Sequence, residues 1–373
     1  MKNKNNQIEA LRAAAIAFVL LSHFPVSSTW PAEANRYVEL WAGVDLFFVI
    51  SGYLITLSLL GLRDAQGRHE QWLELKSFWI RRAFRLLPAA WLWLLIPILM
   101  SILLGDQPLF APLGTLLNDV AAAALQVANL YWATCIGNGQ WGQVCSLPPI
   151  VGPYWSLSLE EQFYLLLPLV MILMPSRLLV PALVVLIGAH VFWSRPIFTL
   201  AFFTRPDALL WGVLLALLSQ RASYFNLPER LKGFRGSSLV SIALLMLLAW
   251  SPTSGVQTVA GVSTVATVAM ISAMLVWLAS CGSGIEPGRL LRWMASRSYA
   301  LYLVHFPLYA LTQILLFPVA DCSILQLAIY AICSGTVIAL AAELTYRWVE
   351  LPLRNYGRQL ALSVSGGGSA QPA

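Results

Sequence analysis

The chain has few charged residues for its length, and this scarcity excludes an ordinary soluble domain. Only 11% of its 373 residues are charged, whereas 58% are hydrophobic and the mean hydropathy is +0.71. Soluble domains carry about 25% charged residues. Long apolar segments recur along the chain instead, which is typical of a polytopic helical membrane protein surrounded by lipid.

Several motifs of soluble enzymes are also missing. No CxxC, HExxH, Walker loop or GxSxG sequence occurs, so zinc, nucleotide and serine-triad chemistry have no support. Among the five cysteines, Cys281 and Cys333 fall in or beside apolar segments without metal spacing, and we expect no metal. Cys135 and Cys145 bracket a glycine-containing predicted loop, where a disulfide and two free thiols are equally compatible with an outer, oxidising location.

Apolar windows of about 18 residues predict ten membrane spans. They lie near residues 8–25, 40–60, 86–104, 156–174, 178–194, 206–220, 237–252, 258–280, 298–317 and 323–346. Lys and Arg concentrate in alternate loops, which predicts cytoplasmic amino and carboxyl termini and leaves Arg36, Arg195 and Arg205 outside. The expected fold class is therefore all-α, with about ten transmembrane helices.

The segments between the spans also carry information. The formal charge of +6 comes from the cytoplasmic loops, so we expect membrane lipid and no nucleic acid as a partner. Residues 63–88 alternate aromatic and charged side chains, which favours a helix at the cytoplasmic surface, with Pro88 opening the third span. Residues 116–132 predict an interfacial or re-entrant piece. Residues 1–355 should form the membrane domain, and residues 356–373 a short, disordered cytoplasmic tail.

Polar residues on the predicted outer side form a first candidate site. They are His23, Asp45, Glu160, Glu161, Arg205 and Asp207. Such a set can perform acid–base chemistry, and a carboxylate such as Asp45 could orient the His23 imidazole so that it accepts a proton. The structural alternatives are a histidine satisfied inside the helix bundle and glutamates that favour a helix start.

Arginines on the predicted inner side form a second candidate site. They are Arg12, Arg81, Arg82, Arg85 and Arg297. Guanidinium groups bind phosphate through paired hydrogen bonds, so the group suits a phosphate-bearing cofactor, although arginines beside a membrane also set topology or bind anionic lipid. Helical geometry places Arg12 and His23 on one face, about 16 Å apart. Ser51, Tyr53, Tyr302 and His305 are candidates for lining a path between the two sites.

Six sequence features occur in a fixed order along the chain. They are Arg12 followed after ten residues by His23, GVDLFFVISGY at 43–53, RRAFRLLP at 81–88, WSLSLEEQFY at 155–164, RPDAL at 205–209 and SYALYLVHFP at 298–307. Over residues 8–355 the set closely resembles the acyltransferase-3 family of bacterial membrane O-acyltransferases. Members of that family modify O-antigen, exopolysaccharide, peptidoglycan and some antibiotics.

The resemblance implies a function and assigns residues to it. An acyl donor, usually acetyl-CoA, would enter from the cytoplasm, and a glycan or lipid-linked saccharide would accept the acyl group outside the bacterial cytoplasmic (inner) membrane. Arg12 and His23 match the family's functional arginine and histidine. The other polar motif positions are Asp45, Arg81, Arg82, Arg85, Glu160 and Glu161. We therefore expect an O-acetyltransferase in which His23 is the general base or carries the acyl group.

Two other functions compete with this one. Ten spans with charges near the midplane also fit a transporter or flippase of a lipid-linked glycan, but the inverted repeats typical of transporters are not apparent. If the protein were only a structural partner of glycan-assembly proteins, its buried acid and base groups would have no function. No esterase-like domain follows the tenth span in this sequence, so we expect no relay between two domains of the peptidoglycan type.

Overall fold

The computed structural model describes residues 5–24, 37–63, 67–105, 112–147, 149–225, 236–254, 261–316 and 323–365. The regular secondary structure of these residues is helical, without a β-strand, which confirms the all-α prediction. The α-helices are α1 (Asn6–Ser22), α2 (Gly43–Leu59), α3 (Arg68–Leu104), α4 (Leu113–Ala124), α5 (Ala128–Gly137), α6 (Tyr154–Leu173), α7 (Ser176–Val191), α8 (Leu200–Phe203), α9 (Asp207–Leu218), α10 (Gly236–Trp250), α11 (Thr264–Ser280), α12 (Arg289–Ser296), α13 (Ser298–Leu316), α14 (Ile324–Thr345) and α15 (Leu351–Val364).

Six helical stretches in the described part of the chain are long and apolar enough to cross a membrane. They are Gly43–Leu62, Arg68–Leu104, Tyr154–Leu173, Leu200–Leu218, Ser298–Leu316 and Ile324–Val364. The other four predicted spans contain α1, α7, α10 and α11, which have 17, 16, 15 and 17 residues. Helices of this length reach about 22–26 Å, less than the roughly 30 Å hydrocarbon core. The count of ten spans and the cytoplasmic position of both termini therefore stay predictions.

The third predicted span belongs to a longer helix than expected. α3 is continuous over 37 residues and contains Pro88 and Pro97. The expectation of a separate surface helix that ends before Pro88 is therefore wrong. Proline usually bends or ends a helix because it lacks an N–H group. Here the residues after it pack well: Ala89, Ala90 and Trp93 are buried, and tertiary packing outweighs the local rule.

The carboxyl-terminal helix also extends further than predicted. α14 continues through a π-helical turn, Tyr346–Glu350, into α15. A β-carbon on Gly357 would collide with the Phe84 side chain of α3, and the ring of Tyr356 lies 5.4 Å from that of Phe84. The predicted boundary at residue 355 thus falls inside a packed helix. The predicted disorder is wrong for residues 356–364, whereas residues 366–373 lie outside the described residues.

The chain divides into two compact units, where the sequence analysis expected a single membrane domain. Unit 1 contains Met1–Ser58, Ser176–Tyr302 and Val319–Cys322. Unit 2 contains Leu59–Pro175, Leu303–Pro318 and Ser323–Ala373. The predicted site residues are therefore distributed over both units, and each unit has its own group of charged side chains.

In unit 1, α2 and α9 approach each other closely at two glycines. A β-carbon on Gly52 would collide with the carbonyl oxygen of Leu209, and one on Gly212 would collide with that of Val49. Glycine is needed here because any side chain would push the two backbones apart. The motif GVDLFFVISGY therefore contributes in two ways: Gly52 allows close helix packing, and an acidic residue lies near the start of the motif.

Gly52→Val is expected to destabilise the protein by about 1–3 kcal/mol or more, since the added atoms overpack the α2–α9 contact. The measurement is the yield and thermal unfolding midpoint of detergent-purified protein. Gly335→Val on α14 is the matched control, because a β-carbon at Gly335 meets no atom within 4 Å. Equal losses for the two variants would contradict the close contact.

In unit 2, a hairpin of two short helices precedes α6. α4 and α5 have 12 and 10 residues, too few to cross a membrane. A disulfide joins Cys135 to Cys145, whose Cα atoms are 6.2 Å apart. Of the two states that the sequence left open, a disulfide or two free thiols, the disulfide is confirmed. Asp119 of α4 is fully buried and accepts hydrogen bonds from the backbone N–H of Ser146 at 3.2 and 3.3 Å. The carboxylate thereby ties α4 to the residue that follows the disulfide.

The stability of this hairpin is expected to depend on pH through Asp119. Burial raises the pKa of Asp119 to about 6, although hydrogen bonds from Ser146 and Tyr131 oppose the shift. The folded chain therefore binds the proton more tightly than the unfolded chain. The resulting stabilisation, on the order of 2 kcal/mol, is complete below about pH 4 and is lost as the pH rises through about 6.

The measurement compares wild type with Asp119→Asn, which cannot titrate. We expect the thermal unfolding midpoint of wild type to fall relative to that of the variant between pH 4 and pH 7. A difference between the two proteins that stays constant with pH would show that Asp119 is not responsible.

Candidate functional site

Charged residues at and near the starts of α2 and α9 in unit 1 form two buried ion pairs. Arg205 donates from Nε and Nη2 to the two carboxylate oxygens of Asp45, at 3.1 and 2.9 Å. Arg195 donates from Nη1 to a single carboxylate oxygen of Asp207. All four side chains are at most 2% exposed. The sequence predicts an outer position for Arg195 and Arg205, and the structure describes both. Carboxylates in the first turns of α2 and α9 neutralise these two arginines.

Aromatic residues complete the surroundings of Arg205. Its guanidinium donates to the Phe202 carbonyl at 2.9 Å, and its carbon Cζ lies 3.9 Å from the centre of the Phe202 ring and 5.5 Å from that of Trp41. Arg205 lies in the three-residue break between α8 and α9, where the backbone turns and both elements come within its reach. The cation is therefore fixed by a carboxylate, a carbonyl and two rings.

Arg195 is the member of this group that the sequence analysis did not select. Its guanidinium also donates to the carbonyl oxygens of Trp193 and His190, at 3.3 and 3.1 Å. Its charge could have identified it. Few arginines lie on the predicted outer side of this chain, and a buried arginine needs a charged partner. In the sequence, Asp207 stands two positions after Arg205, and no pattern indicated that its ion-pair partner is Arg195.

Asp45 does not bind the partner that we expected. Both of its oxygens accept hydrogen bonds from Arg205, because a guanidinium fits a carboxylate in a bidentate manner, whereas the sequence analysis assigned Asp45 to His23. His23 caps the carboxyl end of α1. The N-terminal residue of α2, Gly43, packs against Val19, one turn before His23. His23 therefore lies near the start of α2, and its orientation does not come from Asp45.

In the amino-terminal half of α1, Arg12 contacts Ser298 and Glu9. Its Nη2 donates to Ser298 Oγ at 3.0 Å, and its Nη1 donates to Glu9 at 3.3 Å. Ser298 begins α13 with the sequence SYALYLVHFP, so Arg12 joins the first and last of the sequence features within unit 1. The side chain is 17% exposed, which leaves part of the guanidinium accessible.

Three predicted path residues also lie in unit 1. Tyr53 is buried, with Ser219 and Ser280 close to its hydroxyl group. Tyr302 is buried in α13, and Ser51 is half-buried in α2. These positions fit a polar lining as well as ordinary packing.

Arg82 and two glutamates form the charged cluster of unit 2. Its Cζ atom lies 5.8 Å from the ring centre of Phe78 and 5.1 Å from that of Tyr164. It interacts electrostatically with Glu160 and Glu161, and the Tyr164 hydroxyl group donates to Glu160. The separation of an inner arginine group from outer glutamates is therefore wrong at this point. Because α3 continues through the expected surface helix, its arginines reach α6.

The neighbouring arginines differ in their surroundings. Arg85 interacts electrostatically with Glu161 and with Arg82. Arg81 donates to Ser77 one turn earlier on α3. The assignment of these arginines to a phosphate group stays a prediction.

The remaining predicted residues have mainly structural surroundings. His305 is fully buried in unit 2, with ring centres of Phe306 and Tyr309 at 5.8 and 6.1 Å. Arg297 follows α12 and donates to Ser296 Oγ at 2.7 Å.

Comparison with known proteins identifies the family. The acyltransferase domain that defines the acyltransferase-3 family matches residues 5–347, nearly the whole chain. This chain belongs to the acyltransferase-3 family. The matched residues include both charged clusters, Arg12 and His23, and the resemblance seen in the sequence is confirmed.

This acyltransferase-3 protein is similar to bacterial O-acetyltransferases. It is 30% identical over 372 residues to peptidoglycan O-acetyltransferase OatA of Listeria monocytogenes, which covers 94% of this chain and 56% of that protein. It is 29% identical over 378 residues to a putative O-acetyltransferase of Staphylococcus aureus strain COL, with 94% and 57% covered. It is 28% identical over 377 residues to the putative peptidoglycan O-acetyltransferase YrhL of Bacillus subtilis, with 94% and 55% covered. The chain spans little more than half the length of these relatives. No solved structure matches it.

Proposed function

We propose that this acyltransferase-3 protein moves an acetyl group from cytoplasmic acyl-CoA to a hydroxyl group of a cell-surface glycan or lipid-linked saccharide, in the bacterial cytoplasmic membrane. The observation that carries the proposal is the family match over residues 5–347, because it includes every residue to which we assign a role. The relatives named as peptidoglycan O-acetyltransferases add peptidoglycan to O-antigen and exopolysaccharide as acceptor classes.

His23 is proposed as the group that takes part in the transfer. A ring nitrogen accepts the proton of the acceptor hydroxyl as its oxygen attacks the thioester carbonyl carbon. The new C–O bond forms, the C–S bond breaks, and the CoA thiolate leaves and takes up the proton. In the two-step variant the imidazole carries the acetyl group first and the hydroxyl displaces it. The position of His23 at the end of α1, the end that we place outside, supports either route.

Arg12 is proposed to bind a phosphate group of CoA. Ser298 and Glu9 fix the guanidinium, so its fork is preorganised for an anion with paired acceptors. The cluster of Arg82, Arg85 and the glutamates 160 and 161 is proposed to position α3 against α6 within unit 2.

Arg12→Lys is expected to raise the KM for acetyl-CoA about tenfold, since a charged hydrogen bond contributes roughly 1.5–3 kcal/mol and lysine lacks the paired donors. The measurement is acetyl transfer in membranes at a series of acetyl-CoA concentrations. Arg177→Lys is the matched control, because Arg177 is exposed at the start of α7. An unchanged KM in Arg12→Lys would remove Arg12 from the donor site.

The proposed function is tested by the surface glycans of a deletion strain. Loss of the protein should remove ester-linked acetyl groups while the glycan itself still reaches the surface. Restoring the gene should restore the esters, as measured by NMR of isolated glycan. A transporter or flippase gives the opposite result, because the glycan is then missing from the surface and its acetylation is unaffected.

A further inference from the structure

A pocket with a cavity volume of about 60 Å³ lies beside the Asp45–Arg205 ion pair in unit 1. The segment before α2, the α7–α8 connection with α8, and the first residues of α11 form its walls. It is shallow and partly open, smaller than the roughly 300–1,000 Å³ of a site that encloses a whole small molecule, so it fits one face of a ligand. Neither the family match nor the names of the relatives assigns a ligand to these residues.

Two aromatic rings form a rigid part of the wall. The ring centres of Trp41 and Phe202 are 5.8 Å apart, with their planes at 70°. The guanidinium of Arg205 packs against both rings, and Asp45 holds that guanidinium by two hydrogen bonds. The rings are thus fixed before a ligand arrives, so binding costs little conformational entropy.

Polar groups lie beside these rings. Glu39 Oε2 accepts a hydrogen bond from Trp41 Nε1 at 3.1 Å, and Glu39 Oε1 has no hydrogen-bond partner among the described residues. Ser263 and Thr264 add hydroxyl groups at the start of α11. A sugar ring presents C–H groups on its face and hydroxyl groups at its edge. An aromatic face next to a carboxylate and hydroxyl groups matches that chemistry.

The charges of the pocket decide between neutral and acidic sugars. Arg195 reaches the wall, but Asp207 and two backbone carbonyls already compensate its charge. Glu39 has its hydrogen bond to Trp41 and no ion pair with a residue that the structure describes. A sugar carboxylate would therefore meet an uncompensated like charge at short range, which is unfavourable.

We infer that this pocket binds one uncharged sugar residue of the acceptor, stacked on Trp41 and hydrogen-bonded to Glu39. The inference rests on the proposed function. Trp41 lies two residues before Gly43, which packs against Val19 one turn before His23. The pocket therefore holds a sugar close to His23, and a hydroxyl group of that sugar or of its neighbour reaches the imidazole.

The test measures acetyl transfer by the full chain in membranes, with unacetylated surface glycan from the deletion strain as the acceptor. Trp41→Ala should raise the KM for glycan about tenfold, as expected for truncation of a central aromatic contact, with kcat and the KM for acetyl-CoA unchanged. Glu39→Gln should raise the same KM by up to about tenfold, because a charge-assisted hydrogen bond is lost. Trp41→Phe keeps a ring and should recover most of the affinity.

Trp348→Ala is the control, because Trp348 is 72% exposed and belongs to unit 2. A second arm uses the same glycan after chemical reduction of its carboxyl groups, and its KM should not change. A KM that rises tenfold on reduction would show that the pocket needs an acidic sugar and would overturn the inference.

The outcomes separate the pocket from the function. Normal transfer with an unchanged glycan KM in Trp41→Ala overturns the pocket alone. If Trp41→Ala does not fold, Glu39→Gln decides, and an unchanged glycan KM in that variant overturns the pocket. Absence of acetyl transfer by folded wild-type protein overturns the proposed function and the pocket with it.

Discussion

His23→Ala is expected to lower the rate of acetyl transfer by about 10²–10⁴-fold, which is the usual contribution of one general base. If the imidazole carries the acetyl group itself, the loss should be at the upper end, because the low-energy route is then removed entirely. The KM for acetyl-CoA should change little, since the donor contacts lie at Arg12. The measurement is the initial rate in membranes that contain equal amounts of folded protein.

His190→Ala is the matched control for that variant. His190 is a second imidazole of unit 1, at the end of α7, and its ring bonds to the carbonyl of Leu186 in its own helix. Its removal should leave the rate within about twofold, as for a surface substitution. A rate in His23→Ala that equals wild type, at equal abundance, would exclude His23 from the transfer.

The Asp45–Arg205 pair should give the largest effect on stability. Asp45→Ala leaves a buried guanidinium without its carboxylate, so we expect a destabilisation of about 3–5 kcal/mol. Arg205→Ala should cost a similar amount for the converse reason. The double variant should lose less than the sum of the two, because no uncompensated charge remains. Reversible unfolding of the purified protein in detergent measures all four proteins of this cycle.

An exposed ion pair supplies the control for the cycle. Glu343 and Arg347 pair one turn apart on α14 and the π-helical turn, where the side chain of Arg347 is 65% exposed. Pairs of this kind contribute about 0.3–0.5 kcal/mol. The account is contradicted if the losses for Asp45 and Arg205 are additive and as small as those for the exposed pair, because the buried pair would then not organise the contact between α2 and the start of α9.

The sequence predicted the local features of the fold. Apolar windows located a helix in every predicted span, because hydropathy is a property of consecutive residues. The close approach of α2 and α9 at Gly52 depends instead on a helix distant in sequence. The rule that proline opens a helix failed at Pro88, where side chains distant in sequence stabilise the continuous helix.

The pairing of charges was harder to predict. Asp45 and Arg205 are 160 positions apart, and no periodicity connects them. The sequence analysis assigned both residues to the predicted outer side. It paired Asp45 with His23, which is nearer in the sequence. Likewise, Arg82 was assigned to the inner side because a surface helix was expected around it. Once α3 is continuous, the glutamates of α6 come within reach, and only the tertiary structure supplies that information.

The most direct test follows a labelled acetyl group in purified protein. Wild-type protein in lipid nanodiscs is incubated with radiolabelled acetyl-CoA and unacetylated glycan. The account predicts alkali-labile label on the glycan, an equal release of CoA, and neither event with His23→Ala. Label that stays on CoA in the presence of folded wild-type protein and glycan would contradict the account.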